Sequence, residues 1–463
     1  MKPVLLVDFG STYTKVTAAD VEGETLLGTA QSYTTVESDV GNGLANALVL
    51  LEKKTGHLDY AETYACSSAA GGLRMVTSGL VPELTTEAAR MASLGAGAKL
   101  VGVYSYELIE DDLEEIEALK PDIFLLVGGT DGGNRDNIIH NAGILAGLSK
   151  EIPIILAGNR VAAKECLKLL EGHTVYRCDN VMPKFGTLQI EGVQAKIREI
   201  FLGRIVEAKG LTKATSLMND ICMPTPAAVL QAMTVLSKGA GKEPGIGDLV
   251  GVDVGGATTD VYSMADGMPR HASTVYKGLP EPFAKRTVEG DIGMRYSIHG
   301  IVDAAGIEKV AALAGLSEDR VKELVDYLGT HTDELPDCSP EKTALDKALA
   351  SCAVRTAVAR HAGTVEESYT MMGQVWVQTG KDLRDVRQLV VTGGSLIHTE
   401  ETADIAAFAL ASQEDPESLR PTEANILVDR KYILAAMGLL SLHYPETALR
   451  IMKKELEHNG YSK

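Results

Sequence analysis

At 463 residues the chain exceeds what one ordinary hydrophobic core accommodates, so at least two domains are expected. Its 45% hydrophobic and 23% charged residues are the balance of a globular protein, while a formal charge of −19 without a dense Lys/Arg block argues against nucleic-acid binding. No apolar run approaches the ~20 residues of a membrane span, so a soluble protein with no membrane partner is expected. The six cysteines, at 66, 166, 178, 222, 338 and 352, form no Cys-x-x-Cys pair and no zinc-like cluster. They read as reduced thiols of a cytoplasmic protein, and Lys2-Pro3 leads straight into a strand, so no signal peptide is expected.

In chain order, the apolar run Val4-Leu5-Leu6-Val7 enters Asp8-Phe9-Gly10-Ser11-Thr12-Tyr13-Thr14-Lys15 and leaves through Val16-Thr17-Ala18. Small residues between two β-prone runs predict a hairpin with a tight turn. Residues 24–30 offer a third strand and 44–53 an amphipathic helix. Strand-like segments at 99–103, 122–129, 152–159 and 174–176 then alternate with helical ones at 106–119, 134–148 and 161–170. That alternation predicts a parallel α/β subdomain inserted at about 60–185. Helices follow at 190–208 and 226–232, and the Gly- and Lys-rich stretch 238–247 reads as an exposed loop ending a first lobe at 1–247.

The second lobe, 248–463, opens with the same pattern. Leu249-Val250-Gly251-Val252 enters Asp253-Val254-Gly255-Gly256-Ala257-Thr258-Thr259-Asp260 and returns through Val261-Tyr262-Ser263. A helical subdomain at about 290–385 is expected from periodic Val321, Leu324, Val325 and Leu328. The buried-type strand 389–392 then meets the glycine pair Gly393-Gly394 and Ser395, and a small-residue helix at 433–439 follows.

Glycine in such turns lets the backbone approach a polyphosphate, and consecutive N–H groups make an anion-binding concavity. Gly10, Ser11, Thr12 and Lys15 in the first loop, and Gly255, Gly256, Thr258 and Thr259 in the second, are therefore candidate phosphate ligands. Asp8 and Asp253 would hold a magnesium ion, mostly through its waters. Lys15 could reach a β- or γ-phosphate as a point charge or be a solvated strand lysine. Asp260 could order metal waters or the attacking water, or be a plain turn acid; Asp8, Asp253 and Asp260 are thus the catalytic candidates. Gly128-Gly129-Thr130-Asp131-Gly132-Gly133-Asn134 opens a helix after a strand, either a site for a small molecule, partner or second nucleotide, or a capped turn. The run Cys66-Ser67-Ser68-Ala69-Ala70-Gly71-Gly72-Leu73-Arg74-Met75 reads as a structural turn, since no base accompanies its serines. Asp291 in Gly290-Asp291-Ile292-Gly293-Met294-Arg295 reads as a helix N-cap.

The two aspartate loops resemble the phosphate-1 and phosphate-2 motifs of the actin, sugar kinase and heat-shock chaperone superfamily. Residues 389–397, with Gly393, Gly394 and Ser395, resemble its adenosine motif, and 226–232 and 433–439 its two connecting helices. The resemblance implies a duplicated actin-like (ribonuclease H-like) α/β fold of two lobes that clamp ATP and Mg²⁺ between them. One departure stands out: many relatives place an acid before the first connecting helix to position the attacking water, whereas here the sequence reads Met223-Pro224-Thr225-Pro226. Asp220 lies upstream and could substitute; slow hydrolysis, suited to a switch, is otherwise implied.

The motifs at 7–15, 65–75 and 126–134, with Val288-Glu289-Gly290-Asp291-Ile292-Gly293-Met294-Arg295-Tyr296, resemble the methylaspartate (glutamate) mutase accessory protein family, GlmL or MutL. That resemblance implies an ATPase that maintains or reactivates an adenosylcobalamin-dependent mutase, its partner being the mutase or its cobalamin-binding subunit. No Asp-x-His-x-x-Gly motif is present, so the chain is not expected to bind cobalamin as a mutase does. A small-molecule kinase or an actin-like scaffolding protein are the alternatives within the same superfamily. The iron–sulfur ATPases that activate dehydratases are disfavoured by the scattered cysteines.

Overall fold

A computed structural model describes residues 1–10, 13–33, 40–68, 73–208, 220–334, 339–371 and 373–459. The chain forms two compact units, one of 1–232, 278–280 and 434–451, the other of 233–277, 281–433 and 452–463.

In the first unit, β1 (Pro3–Phe9), β2 (Tyr13–Asp20) and β3 (Thr25–Tyr33) make an antiparallel meander, and β4 (Glu62–Ser67) lies parallel to β1 on its other side. The helix α1 (Val40–Thr55) joins β3 to β4. Next come the strands of a separate sheet, β5 (Arg74–Gly79), β6 (Lys99–Ser105), β7 (Ile123–Leu126), β8 (Ile154–Leu156) and β9 (Val175–Arg177). Its order is β6-β5-β7-β8-β9 and every pairing is parallel. Helices α2 (Glu87–Gly95), α3 (Glu110–Ala118), α4 (Asp136–Leu145) and α5 (Ala163–Leu169) make the crossovers, as parallel pairing requires. After α6 (Glu191–Ala208), β10 (Asp220–Pro224) completes the first sheet, in the order β10-β4-β1-β2-β3.

The inserted sheet starts only at Arg74, because β4 belongs to the first sheet. It is no separate body: Leu5, Val7 and Phe9 of β1 share one buried core with Met75, Ile123 and Leu125. Its other face carries a second core, in which Val76, Phe124 and Leu126 meet Ile138, Ala142 and Cys166.

In the second unit a short hairpin, β11 (Gly239–Ala240) and β12 (Glu243–Pro244), stands where sequence suggested a plain loop. Then β13 (Leu249–Val254), β14 (Thr259–Met264) and, after β15 (Thr274–Lys277), β16 (Ala284–Glu289) repeat the antiparallel meander. A helical region at 298–361 follows, ending in the helix Pro340–His361. Residues 364–379 are strands, β17 (Thr364–Thr370) and β18 (Gly373–Thr379), rather than a continuation of those helices. They pair with β15 as a small sheet, because Val365, Tyr369, Val375 and Val377 are β-formers at alternate positions. Strands β19 (Gln388–Thr392) and β20 (Asn425–Val428) lie parallel to β13, and β21 (Glu457–Asn459) closes the edge.

Both units thus carry a meander of three strands, with two parallel strands added beside its first strand, β4 and β10 in one and β19 and β20 in the other. This is the duplicated actin-like, ribonuclease H-like fold. The division between units falls after Ala232, within the helix Thr225–Lys238, and residues 434–451 return to the first unit. They do so because the helix Leu434–Leu440 is buried at every position, with Gly438 against Ala228.

A Cβ added at Gly438 would lie 1.8 Å from the Ala228 carbonyl oxygen. Gly→Ala in a helix interior ordinarily gains about 1 kcal/mol, whereas overpacking costs about 1–3 kcal/mol. Gly438→Ala should therefore destabilise the protein. Urea unfolding followed by circular dichroism checks the sign, and a rise in midpoint would refute the close crossing.

Candidate functional site

The two aspartate loops share one strand register and one closing hydrogen bond. In the first, Asp8 pairs with Lys15 and Phe9 with Thr14, and the Gly10 N–H donates to the Tyr13 carbonyl at 3.1 Å. In the second, Asp253 pairs with Asp260 and Val254 with Thr259, and the Gly255 N–H donates to the Thr258 carbonyl at 2.9 Å. Glycine is required at both, since a Cβ would stand 2.6 Å from the Tyr13 oxygen and 2.9 Å from the Thr258 oxygen. Ser11 and Thr12 lie outside the described residues.

Around Asp8 the parallel strands deliver specific groups. Cys66 on β4 is its neighbour in register, and the Cys66 thiol donates to Asp8 Oδ1 at 3.5 Å. Burial, with the Asp8 charge adding to it, pushes that thiol well above its ordinary range, so it is a neutral donor and not a nucleophile. Where β10 runs into the helix Thr225–Lys238, the Thr225 hydroxyl donates to the same Oδ1 at 2.6 Å. With Oδ1 so engaged, Oδ2 faces Lys15, whose Nζ stands 3.8 Å away. Asp8 itself is 6% exposed, and these donors supply the hydrogen bonds that burial takes away from water. Asp220 is in β10, but its side chain lies outside the described residues.

Sequence reasoning missed Thr225. It read 223–226 for the absence of an acid, when the signal was a hydroxyl on the first residue of a helix. The strand order puts that residue one strand beyond β4, within reach of Asp8.

The second loop is held from outside by the segment before the next helix. Met294 donates its N–H to the Gly255 carbonyl at 3.0 Å, and Arg295 and Tyr296 donate theirs to that of Gly256 at 2.8 and 2.9 Å. Ser297 donates its hydroxyl to the Ala257 carbonyl at 2.8 Å, and Thr259 donates its own to that of Ile292 at 3.0 Å. Asp291 does not cap a helix; the helix starts at Ile298, and Asp291 instead accepts from Arg360 at 2.8 Å. The motif 288–296 is thus a buttress for the loop. Asp260 occupies the register position of Lys15, but Arg286 of β16 donates to its Oδ1 at 2.7 Å through Nε and lies 2.6 Å away through Nη2. Thr258 stands 3.4 Å from its other oxygen. Asp260 is therefore part of an ion pair across the meander, with Arg286 buried.

The glycine pair after β19 splits into two roles. Gly393 has φ +100°, and a Cβ there would fall 2.3 Å from the Val254 carbonyl oxygen, beside Asp253 and Gly255. Gly394 is exposed, begins the short helix Gly394–Ile397, and meets nothing within 4 Å; Ser395 is half-buried next to it. Gly393 thus serves the fold, while the bare backbone at Gly394 faces open space in which a flat ligand could lie. Beyond β20, the buried Asp429 accepts from the Ile433 N–H at 2.8 Å and stands 3.4 Å from the Thr392 hydroxyl.

Two measurements separate these roles. Gly393→Val should unfold or strongly destabilise the chain, whereas Gly394→Val should keep its circular dichroism and weaken ATP binding; equal affinity in Gly394→Val would mean no purine lies there. Thr225→Ala should weaken Mg·ATP binding about 10-fold, since a hydrogen bond to a charged group is worth roughly 1.5–3 kcal/mol, with Thr225→Ser close to the parent. Calorimetry showing Thr225→Ala unchanged would remove Thr225 from the site.

The MutL protein family matches residues 4–456. The chain is 47% identical over 460 residues to Protein MutL of Clostridium tetanomorphum, covering 98% of this chain and 99% of that protein. Among solved structures it is similar to the activator of the 2-hydroxyisocaproyl-CoA dehydratase from Clostridium difficile with bound ADPNP, at 10% identity and TM-score 0.35, over 99% of this chain and 100% of that one. It is also similar to a xylulose kinase from Lactobacillus acidophilus, at 10% identity and TM-score 0.36, over 99% of this chain and 93% of that one. Scores this low carry no inference about activity, and the fold assignment rests on the strand order. Matched along nearly its whole length, and close to half identical to a full-length relative, the chain belongs to the MutL protein family.

Proposed function

We propose that the chain is a slow ATPase that serves as an accessory, reactivating protein for an adenosylcobalamin-dependent mutase, glutamate mutase or a related aminomutase. The observation that carries the nucleotide half of this reading is the duplicated loop, with Gly10 and Gly255 closing the same turn and Asp8 and Asp253 at the same register position. Turns of this kind would offer backbone N–H groups to phosphate oxygens, and Lys15 would add a positive charge beside the first. A magnesium ion bound with the nucleotide would neutralise phosphate charge. Asp8 and Asp253, at the same register position of their own loops, are the carboxylates that would help hold it, mostly through its waters.

The described residues at the first loop support a slow rate. Thr225 occupies the place where an acid would orient water, and its hydroxyl proton is committed to Asp8. A hydroxyl with an ordinary proton affinity is a poor general base near neutral pH, so little proton abstraction is available there. Asp260, the acid of the second loop, has one oxygen engaged by Arg286. A nucleotide that turns over slowly keeps the protein in one state long enough to act on a partner, and loss of the γ-phosphate removes the contacts that favour that state.

The mutase half rests on membership of the MutL protein family and on the resemblance of its motifs to mutase accessory proteins. Among the described residues no helix is long and apolar enough to cross a membrane, and Cys66, Cys166, Cys178 and Cys352 are free thiols, which suits work in the cytoplasm.

The test uses a glutamate mutase inactivated by turnover, then given free adenosylcobalamin, Mg·ATP and this protein. Recovery of activity should require all three and should be lost with Asp8→Ala. Stoichiometric phosphorylation of a small alcohol or acid, with no cobalamin enzyme responding, would make the chain a kinase instead.

A further inference from the structure

The inserted parallel sheet carries a built hollow that the nucleotide loops do not use. Its order, β6-β5-β7-β8-β9, is that of a doubly wound sheet; the order reverses between β5 and β7, and the hollow lies at the same carboxyl edge, further along the sheet. At the carboxyl ends of β8 and β9 a cavity of about 250 Å³ is walled by Asp131, Arg160, Arg177, Asp179, Asn180 and Gln189.

Two buried asparagines, 1% and 4% exposed, fix its rim. Asn159 accepts from the Gly132 and Val161 N–H groups at 3.2 and 3.0 Å, and donates to the Gly133 and Asn134 carbonyls at 3.2 and 3.0 Å. Asn180 donates to the Gly129 carbonyl and to Asp131 Oδ1, both at 3.0 Å, and accepts from the Met182 N–H at 3.0 Å. Asp131 Oδ1 also accepts from the Arg160 N–H at 3.0 Å, and the Asp131 N–H donates to the Pro183 carbonyl at 3.0 Å. Gly129 and Gly132, at φ +69° and +76°, give the loop a path that other residues rarely follow. The result is a carboxylate held at a fixed point on the cavity wall, the preorganisation a binding site needs.

The charges on the wall come in both signs. Asp131 has Arg160 at 3.7 Å, whereas Arg177 and Asp179 enter none of the ion pairs among the described residues. The cavity is smaller than the roughly 300–1,000 Å³ usual for drug-sized ligands, and its wall is mostly polar. A larger hollow of about 670 Å³ in the second unit differs in this respect, because its Lys347 and Glu401 pair with each other at 2.9 Å.

We propose that the cavity beside Asp131, Arg177 and Asp179 binds a small zwitterion of the α-amino acid class. Its carboxylate meets the guanidinium of Arg177, and its ammonium meets Asp179 and Asp131. The wall sets Arg160 and Arg177 against Asp131 and Asp179, so a lone anion or a lone cation meets like charge as well as opposite charge, whereas a ligand with both charges pairs with each sign. No residue that lines the cavity belongs to either aspartate loop.

Calorimetry of the full chain without nucleotide tests this, with L-alanine, L-aspartate and L-lysine as probes and propionate and ethylammonium as single-charge controls. At least one amino acid should bind, and both controls should bind ~10-fold more weakly or not at all. Arg177→Ala and Asp179→Ala should each weaken amino-acid binding ~10-fold while leaving the melting temperature unchanged, both side chains being on exposed residues. The proposal is overturned if none of the three amino acids binds, if a single-charge control binds equally well, or if both variants bind as the parent does.

Discussion

Each aspartate loop turns on one backbone hydrogen bond, Gly10 N–H to the Tyr13 carbonyl in one and Gly255 N–H to the Thr258 carbonyl in the other. It closes a turn so tight that a side chain at the glycine would meet the accepting oxygen. Because the turn length is fixed, so is the register of the two strands, and the register decides which residue faces each aspartate. Parallel strands then add neighbours beside it: Cys66 next to Asp8, and Thr392 next to Asp253. Everything that surrounds the two carboxylates follows from that turn and from the strand order.

The two loops share a backbone but have diverged in charge. Asp8 faces a lysine and takes hydrogen bonds from a thiol and a hydroxyl, so its own shell compensates it. At the matching position of the second loop stands Asp260, neutralised by the buried Arg286. In one copy the cation that pairs with the acid stands opposite the leading aspartate, and in the other it comes from the next strand of the meander. The second loop has further rigidity from the segment 292–297, whose backbone and Ser297 hydroxyl hold its carbonyls. A loop fixed in this way needs little reorganisation to receive an anion.

The inserted sheet adds a separate capacity. Sharing a core with the first sheet through Leu5, Val7, Met75 and Leu125, it is a rigid extension rather than a tethered module. Its carboxyl-end loops are then free to carry function without supporting the fold. The buried asparagines at 159 and 180 bond chiefly to the loop 129–134, with one further bond each to Val161 and Met182, and Asn180 holds Asp131 directly.

The sequence by itself determined the repeat, the two hairpins, the alternating insertion and the glycine pair, because each is written in local periodicity and turn chemistry. Asp8, Gly10, Asp253 and Gly255 were legible for that reason. Other features are contacts between strands far apart in sequence, and only tertiary structure decided them. Thr225 reaches Asp8 across 217 positions, and Arg286 claims Asp260 from the next strand of the meander. Gly393 and Gly394 are adjacent and identical in sequence, yet one is pressed against Val254 and the other faces open space. The return of residues 434–451 to the first unit is likewise a matter of which buried face Gly438 can approach, and a helix's own apolar pattern says only that it is buried, not against what.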